Sequence, residues 1–177
     1  SERTSFSIDW DIYCDTEAKF STISSFFFIG ATVGLLVSTA IFDRFGRKNG
    51  AIVGNLIGAT ATLIGTWVPS IEIMLVVRIF QGVGMFIQLT GIYCWTLEMT
   101  PAHLRSFANG AIFSIWSVGY MLVTMFGYLI PTWNYIFTAV AILNYTLMIP
   151  VLISPIAPRF ALVRGREEEA KKTLESF

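Results

Sequence analysis

The sequence predicts an all-α fold, a polytopic membrane helical bundle, on three observations. The chain is apolar: of 177 residues, 54% are hydrophobic and 14% charged, and mean hydropathy is +0.65. An ordinary soluble domain carries about 25% charged residues. Charge is absent from four long runs, 20–42, 49–71, 79–97 and 106–158. Uncharged apolar runs of about 18 residues or more read as membrane spans. The remaining charges collect in short segments between the runs. A soluble helical bundle needs polar outer faces on its helices, and these segments have almost none.

Five spans follow in order, at roughly 20–41, 50–68, 72–97, 106–130 and 133–153. The first two are separated by "IFDRFGRKNG", residues 41–50, and the next two by Pro69-Ser70. Span three ends at "LEMTPAHLR", residues 97–105. The last two come from the 53-residue run 106–158. As one helix that run would extend ~80 Å, against a hydrocarbon core of ~30 Å. Pro131 supplies the break, and Trp133 suits an interfacial belt. Residues 1–19 precede the bundle and 154–177 follow it.

Lys and Arg set the orientation. Segments 42–49, 98–105 and 154–177 carry Arg44, Arg47, Lys48, Arg105, Arg159, Arg164, Arg166, Lys171 and Lys172. The opposite side carries Arg3 and Lys19. Excess basic residues mark the cytoplasmic side, so the N-terminus is expected outside and the C-terminus inside. Cys14 and Cys94 then fall on opposite faces and cannot pair with each other. Cys14 is either bonded to a residue outside this sequence or free. The chain begins with Ser, and its first apolar run is too long and wrongly flanked for a signal peptide. The expectation is a cut edge: a fragment, an isoform or an incomplete gene model.

Gly30 and Gly34 in span one, and Gly50, Gly54 and Gly58 in span two, have the spacing that lets helix backbones approach closely in lipid. Glycine is also simply common in membrane helices. The tail "VRGREEEAKKTLESF" places acids before bases, which suits a helix dipole. It reads as a short amphipathic helix from Arg166, or as an extended solvated tail.

In residues 41–50 the bases Arg44, Arg47 and Lys48 anchor a cytoplasmic turn, and Gly46 supplies conformational freedom where a helix must end. Asp43 is unusual there. A negative charge at a helix C-terminus is disfavoured by about 0.3–1 kcal/mol. It needs a partner, Arg47 or another helix end, which suggests a latch between helices.

"DRFGRK" resembles the cytoplasmic motif G-x-x-x-D-R-x-G-R-[RK] of the major facilitator superfamily, with Thr39 in place of the first Gly. Glu98 to Arg105 resembles the E-x6-R signature of its sugar-porter and organic-ion branches. "APRFALVRGREEEA" resembles the P-E-S-P-R-W-L…G-R-x-E-E-A stretch after the sixth helix. Pro155, Pro158, Arg159, Gly165, Arg166, Glu168, Glu169 and Ala170 agree, and Ile156, Ala157 and Phe160 depart. "DWDIYCD", residues 9–15, is similar to the E-W-D-L-V-C segment of organic cation and anion transporters, which sugar porters lack. The resemblance implies helices two to six of a twelve-helix carrier, with residues 1–19 as the extracellular end of the helix 1–2 loop and 154–177 opening the cytoplasmic inter-bundle loop. It also implies a cytoplasmic latch from Asp43, Arg44, Gly46, Arg47, Lys48, Glu98 and Arg105. A missing first helix and a C-terminal six-helix bundle would complete the parent, a plasma-membrane carrier.

Arg78 is the one charge inside a span. It lies about 10 Å from Ile71, near enough to the surface to snorkel. Alternatively it belongs to a polar stripe with Gln81, Met85 and Gln88, which fall within about 80° of one another on a helix. "RIFQGVG" resembles a motif of facilitator drug carriers. Further stripes are Ser114, Ser117, Met121, Thr124 and Tyr128 in span four, and Ser21, Ser24, Ser25, Phe28, Thr32 and Thr39 in span one. Hydroxyls can also bond back to their own helix. The family resemblance turns these faces to a cavity, with Arg78, Gln81, Gln88, Ser117 and Tyr120 along the substrate path. Trp116, Phe86 and Tyr93 either line it or pack.

There is no phosphate-binding G-x-x-x-x-G-K-[ST], no metal-site companion for His103 and no Ser-His-Asp spacing. No enzyme activity, cofactor, metal or nucleic-acid partner is expected. The G-P-x-x-G-G signature of proton-driven antiporters is also missing. Asn144-Tyr145-Thr146 is a glycosylation sequon inside a span and should be inert. The expected partners are a small organic solute and the lipid bilayer. A sugar porter, or a truncated product that only associates with membrane or a related carrier, are the competing readings.

Overall fold

The computed structural model describes residues 16–68, 70–130 and 132–154, with the side chains of 16–20 and Trp133 excepted. Lipid offers backbone groups no hydrogen-bond partner, so a spanning chain must satisfy them within each segment, and helices do so. The described residues form α1 (Thr16–Phe45), α2 (Arg47–Gly65), α3 (Ile71–Met99), a 3₁₀ turn (Ala102–Leu104), α4 (Arg105–Leu129) and α5 (Trp133–Ile153). Pro69, Pro131, the cysteine-bearing 9–15 segment and the basic tail lie outside the described residues.

Four stretches are long and apolar enough to cross a membrane: Ser21–Phe45, Ile71–Met99, Ala102–Leu129 and Asn134–Ile153. The fifth helix, α2, is not among them. It is rich in glycine, alanine and threonine, and it carries Arg47, Lys48, Asn49 and Asn55. α2 buries one face, with Gly54, Asn55, Gly58, Ala59, Ala61 and Thr62, and exposes Val53, Leu56 and Ile64 on the other.

α3 is the central element, packed along its length against both α1 and α2. Glycine makes this possible on two of its faces. Toward α1, a Cβ on Gly82 would come within 2.8 Å of the Ala31 nitrogen, and one on Gly34 within 2.6 Å of the Val83 carbonyl oxygen. Toward α2, a Cβ on Gly84 would come within 2.6 Å of the Gly58 Cα and 2.7 Å of the Gly54 oxygen. Backbone therefore lies on backbone, the close approach that small residues permit in lipid. Gly50 is different: its Cβ would meet the Phe42 ring of α1, a side chain and not a backbone. At the end remote from Gly46, Ala61, Val68, Met74 and Val77 form a small apolar core between α2 and α3.

α5 packs on α2, while α4 touches its neighbours only lightly and buries no residue. One tie is the Tyr93 hydroxyl, which donates to Asn109 Oδ1 at 3.2 Å.

α1 runs on through Asp43, Arg44 and Phe45, so these residues occupy its last turn and not a loop. The whole connection to α2 is Gly46, at φ 85° and ψ 158°. That region of backbone space is essentially restricted to glycine. The Gly46 amide bonds the Phe42 carbonyl at 2.9 Å, and the Gly46 carbonyl accepts from the Gly50 amide at 2.9 Å, so this residue gives each helix end one further hydrogen bond.

Candidate functional site

The single-residue turn places consecutive side chains of the first turn of α2 against two different helices. Arg47 forms an ion pair with Glu98, near the end of α3. Lys48 Nζ donates to the carbonyl oxygens of Leu152, at 2.9 Å, and Ser154, both at the end of α5. Partial burial draws the Lys48 ammonium below its ordinary range. Arg105 donates from Nε to the Thr100 oxygen at 3.4 Å, which holds the start of α4 to the turn after α3. The guanidinium of Arg44 lies 5.8 Å from the Phe45 ring centre.

Asp43 is exposed and makes no hydrogen bond or ion pair with a described residue. Arg47, the partner expected for it, is taken by Glu98. The reason is the early start of α2, which turns Arg47 toward α3 and away from the last turn of α1. Of the seven residues expected in a latch, Arg47, Lys48 and Glu98 thus join three helices. Gly46 sets their direction, and Asp43 and Arg105 stay exposed.

The second constellation begins at Arg78. Its Nη1 donates to Gln81 Oε1 at 3.1 Å, and Gln81 Nε2 donates to the Thr62 hydroxyl on α2 at 3.0 Å. The Thr62 hydroxyl in turn donates to the Gly58 carbonyl at 2.8 Å. Each link passes one donor to one acceptor, so the relay is self-consistent. The Arg78 guanidinium also sits over the Phe137 ring of α5, 5.5 Å from its centre, in cation–π range. Arg78 and Gln81 are therefore turned toward α2 and α5. Gln88 is half-buried and makes no side-chain hydrogen bond with a described residue.

On α4, Ser117 donates to its own helix at Phe113, 3.0 Å away, and Ser114 and Thr124 do the same at Gly110 and Tyr120. Ser25 and Thr32 on α1 follow this pattern. Five hydroxyls of the two stripes are thus satisfied by their own helices. Tyr120, exposed, stacks on Trp116 at 6.2 Å, and Trp116 stacks on Phe113 at 6.3 Å. Phe86 meets Phe27 of α1 edge to face at 6.5 Å.

Several contributors carried no signal in the sequence. Thr62 and Phe137 complete the Arg78 relay from other helices. Asn55, 1% exposed, reaches the Asn144 carbonyl on α5 at 3.4 Å. Gly82 and Gly84, which control the packing of α3, stand two apart in "QGVG" and face different helices, so the four-residue spacing of a single packing face does not mark them.

The described residues thus form a helical membrane bundle whose charges join helices at one end and whose backbones meet through glycine. The profile of the family described as "Sugar (and other) transporter" matches residues 4–177, and the chain belongs to that family. It is 27% identical over 177 residues to solute carrier family 22 member 7 of Mus musculus, covering 98% of this chain and 33% of that protein. It is 24% identical to organic cation/carnitine transporter 2 of Homo sapiens, over 92% of this chain and 29% of that one. Against the organic cation transporter protein of Drosophila melanogaster it is 26% identical, over 94% and 30%. The chain thus spans about a third of the length of the curated relatives it matches. Among solved structures, the partially occluded inward-open xylose transporter XylE from E. coli superposes with a TM-score of 0.74 at 20% identity, covering 87% of this chain and 42% of that one. That likeness shows the major facilitator fold. The chain is an integral membrane protein of the facilitator superfamily with solute carrier family 22 relatives.

Proposed function

We infer that this chain is part of the N-terminal bundle of a secondary transporter that moves small organic ions across the plasma membrane by alternating access. The observation that carries this reading is the match of nearly the whole chain, in order, to proteins named as organic-ion carriers. Residues 1–19 then belong to an extracellular loop, 20–153 to the bundle, and 154–177 to the start of a cytoplasmic inter-bundle loop. The N-terminus is extracellular and the C-terminus cytoplasmic, as the Lys and Arg asymmetry favours. A first helix and a C-terminal six-helix bundle are the partners that complete the carrier. Solute binds between the two bundles near the midplane, and one bundle rocks against the other.

Asp43, Arg44, Gly46, Arg47, Lys48, Glu98 and Arg105 form the latch of the outward-facing state. Support comes from the three-helix junction built by Arg47, Lys48 and Glu98. Arg78, Gln81, Gln88, Ser117 and Tyr120 contribute to the solute path, directly or by fixing the helices that line it. Asp43→Asn in the full-length parent should slow uptake without loss of surface expression. Wild-type uptake in that variant would refute the latch.

A two-sided gated path cannot be closed by five helices of one bundle, so the chain alone does not transport. Uptake into liposomes holding only this chain would overturn that statement. Alone, it would act as a truncated product associating with membrane or a related carrier. A sugar-porter reading is the competing one: the family description covers sugar and other transporters, while "DWDIYCD" argues against it. Competition of uptake by organic cations, organic anions and hexoses in the full-length carrier decides between the two.

A further inference from the structure

The last four carbonyls of a helix have no partner within it, and in a low-dielectric setting each must be satisfied by something else. At the end of α5 the solution is divided. The Pro150 carbonyl accepts from both the backbone amide, at 3.1 Å, and the hydroxyl, at 2.8 Å, of Ser154. The Leu152 and Ser154 carbonyls accept from Lys48, more than a hundred residues earlier in the chain. A cation at a helix C-terminus is also favoured by the helix dipole. α5 has little else to fix this end: Leu152 and Ile153 are exposed, and its buried apolar side chains are Ala141 and Met148.

We propose that Lys48 is a clasp internal to the bundle: its ammonium caps α5 and holds the point where the chain leaves the bundle against the start of α2. This deepens the latch reading and rests on it, because it divides the latch residues into two groups. Lys48, Arg47 and Glu98 are engaged within the bundle. The exposed Asp43 and Arg105 are then the groups that face a second bundle. Since Arg47 and Lys48 are adjacent, a displacement of the α5 end is passed by one peptide unit to the Arg47–Glu98 pair. The ends of α5 and α3 are thereby coupled mechanically.

The test needs no transport, so its failure is separable from failure of the carrier reading. Spin labels are placed at Asn49→Cys and Ile153→Cys in the full 177-residue chain in lipid nanodiscs, with Cys14 and Cys94 changed to serine. Lys48→Met should shift the interspin distance upward and broaden it. Lys48→Arg, which still donates to carbonyls, should stay close to the parent distribution. Glu98→Gln, which reaches these labels only through Arg47, should move the distribution much less than Lys48→Met. An unchanged distribution in Lys48→Met, or the same broadening in Glu98→Gln, overturns the clasp. Where Lys48→Met loses its helical circular dichroism, the unmutated chain gives a second readout. An amine held by two carbonyls is reductively methylated more slowly than the amine of a short peptide of the same local sequence. Equal rates overturn the proposal.

Discussion

Gly84 is the residue at which a single methyl group should do most damage. Its added Cβ would lie 2.6 Å from the Gly58 Cα and 2.7 Å from the Gly54 carbonyl oxygen, where ordinary contact begins at 3.4 Å. All the atoms it meets are backbone, so no side chain can swing aside. Gly84→Ala must instead separate α2 from α3 by about 1 Å, and a gap of that size forfeits a quarter to a half of each dispersion contact. Overpacking of this kind costs about 1–3 kcal/mol, against which alanine returns up to ~1 kcal/mol of helix propensity. The expected net loss is about 1–2 kcal/mol. Two neighbours calibrate it. A Cβ on Gly58 would sit 3.2 Å from the Met85 nitrogen, a few tenths of an ångström too near, so Gly58→Ala should be close to neutral. A Cβ on Gly119 of α4 meets nothing within 4 Å, so Gly119→Ala should gain about 0.5–1 kcal/mol. Unfolding in mixed micelles by dodecyl sulfate titration, followed by far-ultraviolet circular dichroism, gives the three values. If Gly84→Ala is as stable as Gly119→Ala, the packing of α3 on α2 described above is wrong.

Gly46→Ala places a Cβ in a backbone region where it clashes, and should lower stability by about 1–3 kcal/mol in the same titration. Thr62→Val keeps the shape but removes the acceptor of Gln81 and the donor to Gly58, and should cost about 0.5–2 kcal/mol. A double-mutant cycle with Gln81→Leu should recover part of that loss as coupling, and strict additivity would dissolve the relay. Glu98→Gln should lose about 0.5–1 kcal/mol, modest because the Arg47 side chain is 44% exposed. The exchange Arg47→Glu with Glu98→Arg should restore most of it.

Length and absence of charge made the helices legible, because a spanning helix needs about 20 apolar residues whatever its neighbours are. Gly54 and Gly58 could be read as a packing face from their spacing alone. The orientation of each helix about its axis was harder to read. α3 and α5 are apolar on nearly every side, so no hydrophilic face says which way a given residue points. That is why Arg78 and Gln81 could be grouped as a stripe, while Thr62 and Phe137, which receive them, could not be named. The charged turn was legible as a turn. That it shrinks to one residue, and so sends Arg47 to Glu98 and Lys48 to the end of α5, depends on the conformation of Gly46. Composition does not encode that conformation. The acceptors of Lys48 are backbone carbonyls, which every residue possesses, so no side-chain pattern could mark them.

The one-residue join between α1 and α2 restricts what lengths evolution or an engineer can write there. An inserted or deleted residue must be absorbed by winding or unwinding a helix end. Each such step turns the following side chains by about 100°. One step would carry Arg47 off Glu98, Lys48 off the carbonyls of α5, and Gly54 and Gly58 off Gly84. Tags, reporters and domain insertions therefore do not belong at Gly46.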